Sequence, residues 1–155
     1  MKNRRFTILT AFAAVLLFAG ISQAQLQRCT EAGSIKQVTK TRSGSHELVT
    51  FDVLTATPDY TVRNAKPPFS EYGEDKHIKI KGKAFKSIVF KGVNWTCKIG
   101  ENFSTATSTV TAVKSIEQFE GQVEYIIGYS SRSKFVGTAI TGKGNSRKIT
   151  LKFRR

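Results

Sequence analysis

The chain reads as an all-β protein: an antiparallel β-sandwich or partly open barrel behind a cleaved signal peptide. Three observations predict this. From residue 47 onward apolar and polar residues alternate with a period near two, the pattern of strands that bury one face. The runs are strand-length and are separated by Gly, Pro, Asn and Ser. No segment sustains a 3.6-residue apolar period over three turns.

Residues 1–24 have the layout of an export signal. Lys2, Arg4 and Arg5 form a cationic start, residues 6–21 are an apolar run, and Ser22-Gln23-Ala24 offers small side chains before a cut at Gln25. About 16 apolar residues fall short of the roughly 20 that span a bilayer, so no transmembrane segment is expected in the mature chain. The expected location is secreted or periplasmic. Taking 24 from 155 leaves 131 residues, enough for one domain with its own core.

The chain has 25 Lys and Arg against 11 acids, and three of those cations lie in the leader, so the mature part carries +11. Such a balance favours anionic partners such as acidic polysaccharides, phosphate polymers or an envelope surface. The plain alternative is that the charge only maintains solubility. An exported chain meets little nucleic acid, which is therefore not an expected partner. Cys29 and Cys97 are the only cysteines, and an oxidising compartment permits a disulfide between them. Two free thiols are the alternative. Lipidation of Cys29 is disfavoured because Leu26-Gln27-Arg28 lacks the small residues such a signal uses.

Taken in order, residues 25–45 are polar and read as a tail or a loosely attached strand, with the sandwich domain at 46–155. Val49, Phe51 and Val53 share one face, opposite Thr50 and Asp52. A turn at Pro58-Asp59 leads to Tyr60 and Val62 on the apolar face. Residues 66–75 read as a loop because Pro67 and Pro68 lack donors. Residues 76–83 read as a strand with Ile78 and Ile80 inward. Phe85, Ser87 and Val89 then oppose Lys86, Ile88 and Phe90. Residues 103–111, dense in Thr and Ser, suit an exposed strand or a long loop, and 110–118 suit a strand or a helical turn. Val123, Tyr125 and Ile127 mark a clear strand, as do residues 135–140 and Ile149, Leu151 and Phe153. Gly142-Lys143-Gly144-Asn145 reads as a hairpin turn. The expected core is Val49, Phe51, Val53, Val89, Val123, Tyr125, Ile127, Phe135, Ile149 and Leu151.

Several landmarks fall in a recognisable order: Leu48-Val49-Thr50-Phe51-Asp52-Val53; Pro58, Tyr60 and Val62; Gly82-x-Ala84-Phe85 leading to Ile88-Val89-Phe90; Phe119-Glu120-Gly121; Tyr125-Ile126-Ile127-Gly128; and Lys134-Phe135-Val136. Over residues 48–90 and 113–153 this order resembles the AMIN-like domain family, exported bacterial relatives of the AMIN domains of cell-wall amidases. The chain departs from the family pattern at Asp59, where glycine is common, and at Lys152, where an acid is usual. The resemblance implies a β-sandwich that binds or localises at the cell envelope and is not itself an enzyme.

The residues alone offer little catalytic chemistry. His46 and His77 are the only histidines, and His46-Glu47 lacks the spacing of a zinc motif. A metal at His77, Glu74 and Asp75 would need His46 brought close, and no metal or other cofactor is expected. Glu120 is a lone carboxylate without the partner that glycosidase chemistry requires. Trp95, two residues before Cys97, reads as core packing. The candidate ligand-binding residues are cationic. On a strand, Lys79, Lys81 and Lys83 would project from one face about 6.6–6.8 Å apart, within the screening length of roughly 8 Å. Lys148, Lys152 and Arg154 repeat the pattern at the end of the chain. The plain alternative is a solvated, aggregation-resistant face. The functional expectation is a non-catalytic domain that contacts a cell-envelope polymer, peptidoglycan or an anionic polysaccharide. The alternative is a secreted protein-binding or inhibitory module using its loops.

Overall fold

The computed structural model describes residues 29–73, 76–98 and 109–155. The leader and most of the Thr- and Ser-rich stretch at 103–111 lie outside these residues. The described residues form β1 (Ser34–Ser43), β2 (His46–Val53), β3 (Asp59–Ala65), β4 (Phe69–Ser70), β5 (His77–Ile78), β6 (Ala84–Lys91), β7 (Trp95–Lys98), β8 (Val110–Phe119), β9 (Gln122–Tyr129), β10 (Lys134–Thr141) and β11 (Arg147–Arg154), with no helix among them. Sheet A has the order β10-β11-β2-β1-β7 and sheet B the order β3-β6-β9-β8, with β4 and β5 as a separate two-stranded ribbon. All pairs are antiparallel except β1–β7. Both sheets are open, so the architecture is a sandwich and not a barrel.

Alternation decides what faces inward. On β2, Val49, Phe51 and Val53 are fully buried, and Ile149, Leu151 and Phe153 answer them on β11. From sheet B, Ile88, Phe90, Val123, Tyr125 and Ile127 close the same core. Phe51 lies 5.2 Å from Phe90 and 5.0 Å from Tyr125 between ring centroids, joining the two sheets. Phe135 sits at the margin, half-buried and packed on Phe153.

Four expectations change. Residues 34–43 are no loose tail: β1 pairs with β2 and β7 and buries Ile35 and Val38 in the core. Ile88 and Phe90 face the core and Val89 the opposite side, because β6 is covered on both faces. The covering comes from residues 66–73 and 76–83, which cross the outer face of sheet B. There Phe69 packs edge-on to Phe85 at 5.0 Å, Glu71 pairs with Lys114 at 2.9 Å and Tyr72 stacks on Phe119 at 4.6 Å. Residues 76–83 are not one strand, since only His77 and Ile78 pair, with Ser70 and Phe69. Trp95 is half-buried on the short edge strand β7 and lies outside the core cluster.

Residues 110–118 resolve as strand β8, with bulges near Val110 and Ser115. A two-residue turn, Glu120-Gly121, joins it to β9 with φ of 47° and 75°. Positive φ at both positions belongs to the type I′ hairpin, which favours Asn or Gly at the first. Glu120→Asn is therefore expected to raise stability by about 1 kcal/mol in urea denaturation. Cys29 and Cys97 form a disulfide with Cα atoms 5.7 Å apart, tying the segment before β1 to β7.

A further tie between the sheets is polar. The Glu47 carboxylate accepts the Val110 N–H at 2.7 Å and lies 3.8 Å from Lys40. This anchors the start of β8 in sheet B to β2 in sheet A.

Candidate functional site

The cations singled out from the sequence do not share one surface. Lys148, Lys152 and Arg154 are exposed on the outer face of β11. Their cross-strand neighbours on β2 are Asp52, Leu48 and His46, so that row is mixed in charge and polarity. Lys79, Lys81 and Lys83 are also exposed, and Ile78, Ile80 and Gly82, which alternate with them, are half-buried. The alternation expected of a strand survives here without a strand.

What holds residues 79–83 in place is a close crossing over sheet B. Gly128 on β9 leaves room for the Lys81 carbonyl, whose oxygen would lie 2.0 Å from a Cβ at Gly128. A Cβ on Gly82 would in turn sit 2.8 Å from Gly128 Cα. The Lys83 N–H donates to Tyr129 O at 2.9 Å, and the Thr111 hydroxyl donates to Lys81 O at 2.7 Å. Gly128→Ala is expected to push the crossing segment away, at a cost of about 1–3 kcal/mol by urea denaturation.

This crossing, the Lys66-Pro67 turn and the ends of β3 and β6 enclose an open pocket of about 770 Å³. Phe69, Ile78, Ile80 and Phe85 give it an apolar lining, and Lys66, Lys79 and Lys83 add three exposed cations. Tyr129 borders the pocket, but its ring turns into the core against Phe153 at 5.1 Å, where burial pushes the phenol above its ordinary range. Among the described residues the ion pairs are Lys40–Glu47, Arg63–Glu124 and Lys114–Glu71, and none uses a pocket lysine. Lysine stems can pack on the apolar lining while their heads remain in water.

Lys66 was not singled out by the sequence pattern, because it stands alone before two prolines. The signal that would have found the pocket is the pair Gly82 and Gly128, whose missing side chains permit the crossing.

The acidic and histidine sites are structural by comparison. Glu117 and Glu124 face each other across β8 and β9. Glu124 accepts from the Ser87 hydroxyl and from Arg63, and Glu117 accepts from Gln122. His77 Nδ1 is 3.0 Å from Ser70 Oγ on the small ribbon, and His46 lies on sheet A. Among the described residues no three metal-ligating side chains gather, and Glu74 and Asp75 lie outside them. Glu120 forms the hairpin turn described above.

An antiparallel β-sandwich with a basic, apolar-lined pocket has the build of a small binding module. The family model of the AMIN-like domain matches residues 36–149, and the chain belongs to that family. AMIN-like domains are in general non-catalytic binding or targeting modules related to cell-wall amidases. Comparison with curated proteins and with solved structures gave no match.

Proposed function

We propose that this chain is a secreted or periplasmic, non-catalytic domain that associates with the cell envelope through its basic surface, with peptidoglycan or another anionic envelope polymer as partner. The observation that carries this reading is the trio Lys66, Lys79 and Lys83, exposed around an apolar pocket and outside the ion pairs of the described residues. The leader-like residues 1–24, the charge balance and the AMIN-like family point the same way. Isolated lysine heads attract anions over roughly one screening length, so the association should weaken with salt.

Purified sacculi offer the test. The mature protein is expected to co-sediment with them at low salt and to be released progressively as salt rises. No retention at low salt would overturn the reading. One observation favours the protein-binding alternative: the edge strand β10 exposes Val136 at 52% and Ile140 at 49%. Retention that is indifferent to salt and lost on changing these two residues would favour that alternative.

A further inference from the structure

We infer that the Lys66, Lys79 and Lys83 pocket takes a short acidic peptide with small aliphatic side chains, the chemistry of the peptide part of peptidoglycan. It does not take the sugar or phosphate backbone of an envelope polymer. This rests on the envelope-binding reading and names the ligand chemistry of its site.

Size is the first argument. An open pocket of about 770 Å³ falls in the size range of sites that take a compact ligand. The lining is the second. Phe69, Ile78, Ile80 and Phe85 are apolar, and a bare polyphosphate has no apolar surface to place against them, while a sugar acid has only the C–H face of its ring. A peptide of alanine-like and glutamate-like units has both methyl groups for the lining and carboxylates for the three lysines. Aromatic geometry is the third. Phe69 is only 6% exposed and sits edge-on to Phe85, which is itself half-buried, so the two rings present little face for a pyranose to stack on.

Two polar details agree. Asn64, also in the lining, offers an amide that can donate to and accept from a peptide group. The cations are lysines, compact point charges that tolerate varied carboxylate placement better than the fixed fork of arginine.

Calorimetry on the mature chain tests this with four probes. They are a synthetic Ala-γ-D-Glu-Lys-D-Ala peptide with free carboxylates, its fully amidated form, chitotetraose and linear polyphosphate. The free-acid peptide is expected to bind, and amidation to weaken binding roughly tenfold. The variant K79Q/K83Q should weaken it by a similar factor. Ile80→Ser, which changes no charge, should also weaken it. K79Q/K83Q should keep the parent thermal transition, since both lysines are exposed; Ile80 is half-buried, so Ile80→Ser is compared at a temperature well below its own transition, where the fold is intact. Polyphosphate binding that is indifferent to Ile80→Ser would reduce the pocket to a plain cation patch and overturn the inference. Binding of chitotetraose in preference to the peptide would also overturn it. If no peptide binds while sacculi still retain the protein in a salt-dependent way, the peptide assignment fails and the envelope reading stands. If sacculi also fail to retain it, the envelope reading itself fails.

Discussion

Replacing Phe51 by alanine is expected to cost about 3–5 kcal/mol, measured as a fall in urea midpoint at constant m-value. Phe51 is fully buried in the middle of β2, with Val38 of β1 and Ile149 of β11 as its cross-strand neighbours. Its ring meets Phe90 and Tyr125 of the opposite sheet, the latter in an edge arrangement. Such pairs add about 0.5–1.5 kcal/mol to the burial of area. Truncation removes the contacts on both sides and leaves a cavity between two sheets that are too rigidly paired to collapse onto it. Typical domains have only about 5–15 kcal/mol of stability in total, so this variant should be near the limit of folding. Val136→Ala, at an exposed edge position, should change stability by less than about 0.5 kcal/mol. A loss at Phe51 no larger than that at Val136 would contradict the sandwich core.

Removal of the disulfide is the second large effect. The bridge spans a sequence separation of 68, and in the chain-entropy model a loop of that length is worth roughly 4 kcal/mol. Its structural leverage is local as well. β7 has only four residues, lies at the edge of sheet A and pairs with β1 over a short parallel ladder from Ser34↔Trp95 to Gln37↔Lys98. The double variant C29S/C97S should lose about 2–4 kcal/mol in urea. Reductant should bring the parent down to the same midpoint and leave the variant unchanged. Equal stability of parent and variant without reductant would show that the bridge does not contribute.

The strands that face water on one side were legible in the sequence. β2 and β11 alternate cleanly because only one face of each meets the core, and the residues expected there are buried; β9 is buried on both faces, yet Val123, Tyr125 and Ile127 do reach the core as expected. Legibility failed at β6 and β1. β6 is covered on both faces, so Phe85, Ser87 and Val89 compete with Ile88 and Phe90, and period-two reasoning cannot rank two buried sets. β1 was missed as an integral strand because only Ile35 and Val38 mark its core side, while Lys40 on that side serves the Glu47 tie. The candidate site divides the same way. Lys79 and Lys83 were found from their alternation, although the geometry that exposes them is a crossing segment and not a ladder. Lys66 joins them only through tertiary structure, from a turn more than ten residues upstream. Lys148, Lys152 and Arg154 share their pattern but lie on the other sheet, a separation that no local pattern encodes.

The most direct test of the account compares two triple variants in sacculus co-sedimentation at low and physiological salt. One is K66Q/K79Q/K83Q at the pocket, and the other is K148Q/K152Q/R154Q on the outer face of sheet A. Both remove three exposed charges and should shift stability by no more than about 0.5 kcal/mol, so differences in retention report binding. The account predicts that the pocket variant loses most retention and most of its salt dependence, while the sheet A variant stays close to the parent. Parent-like retention and salt dependence in K66Q/K79Q/K83Q would contradict it.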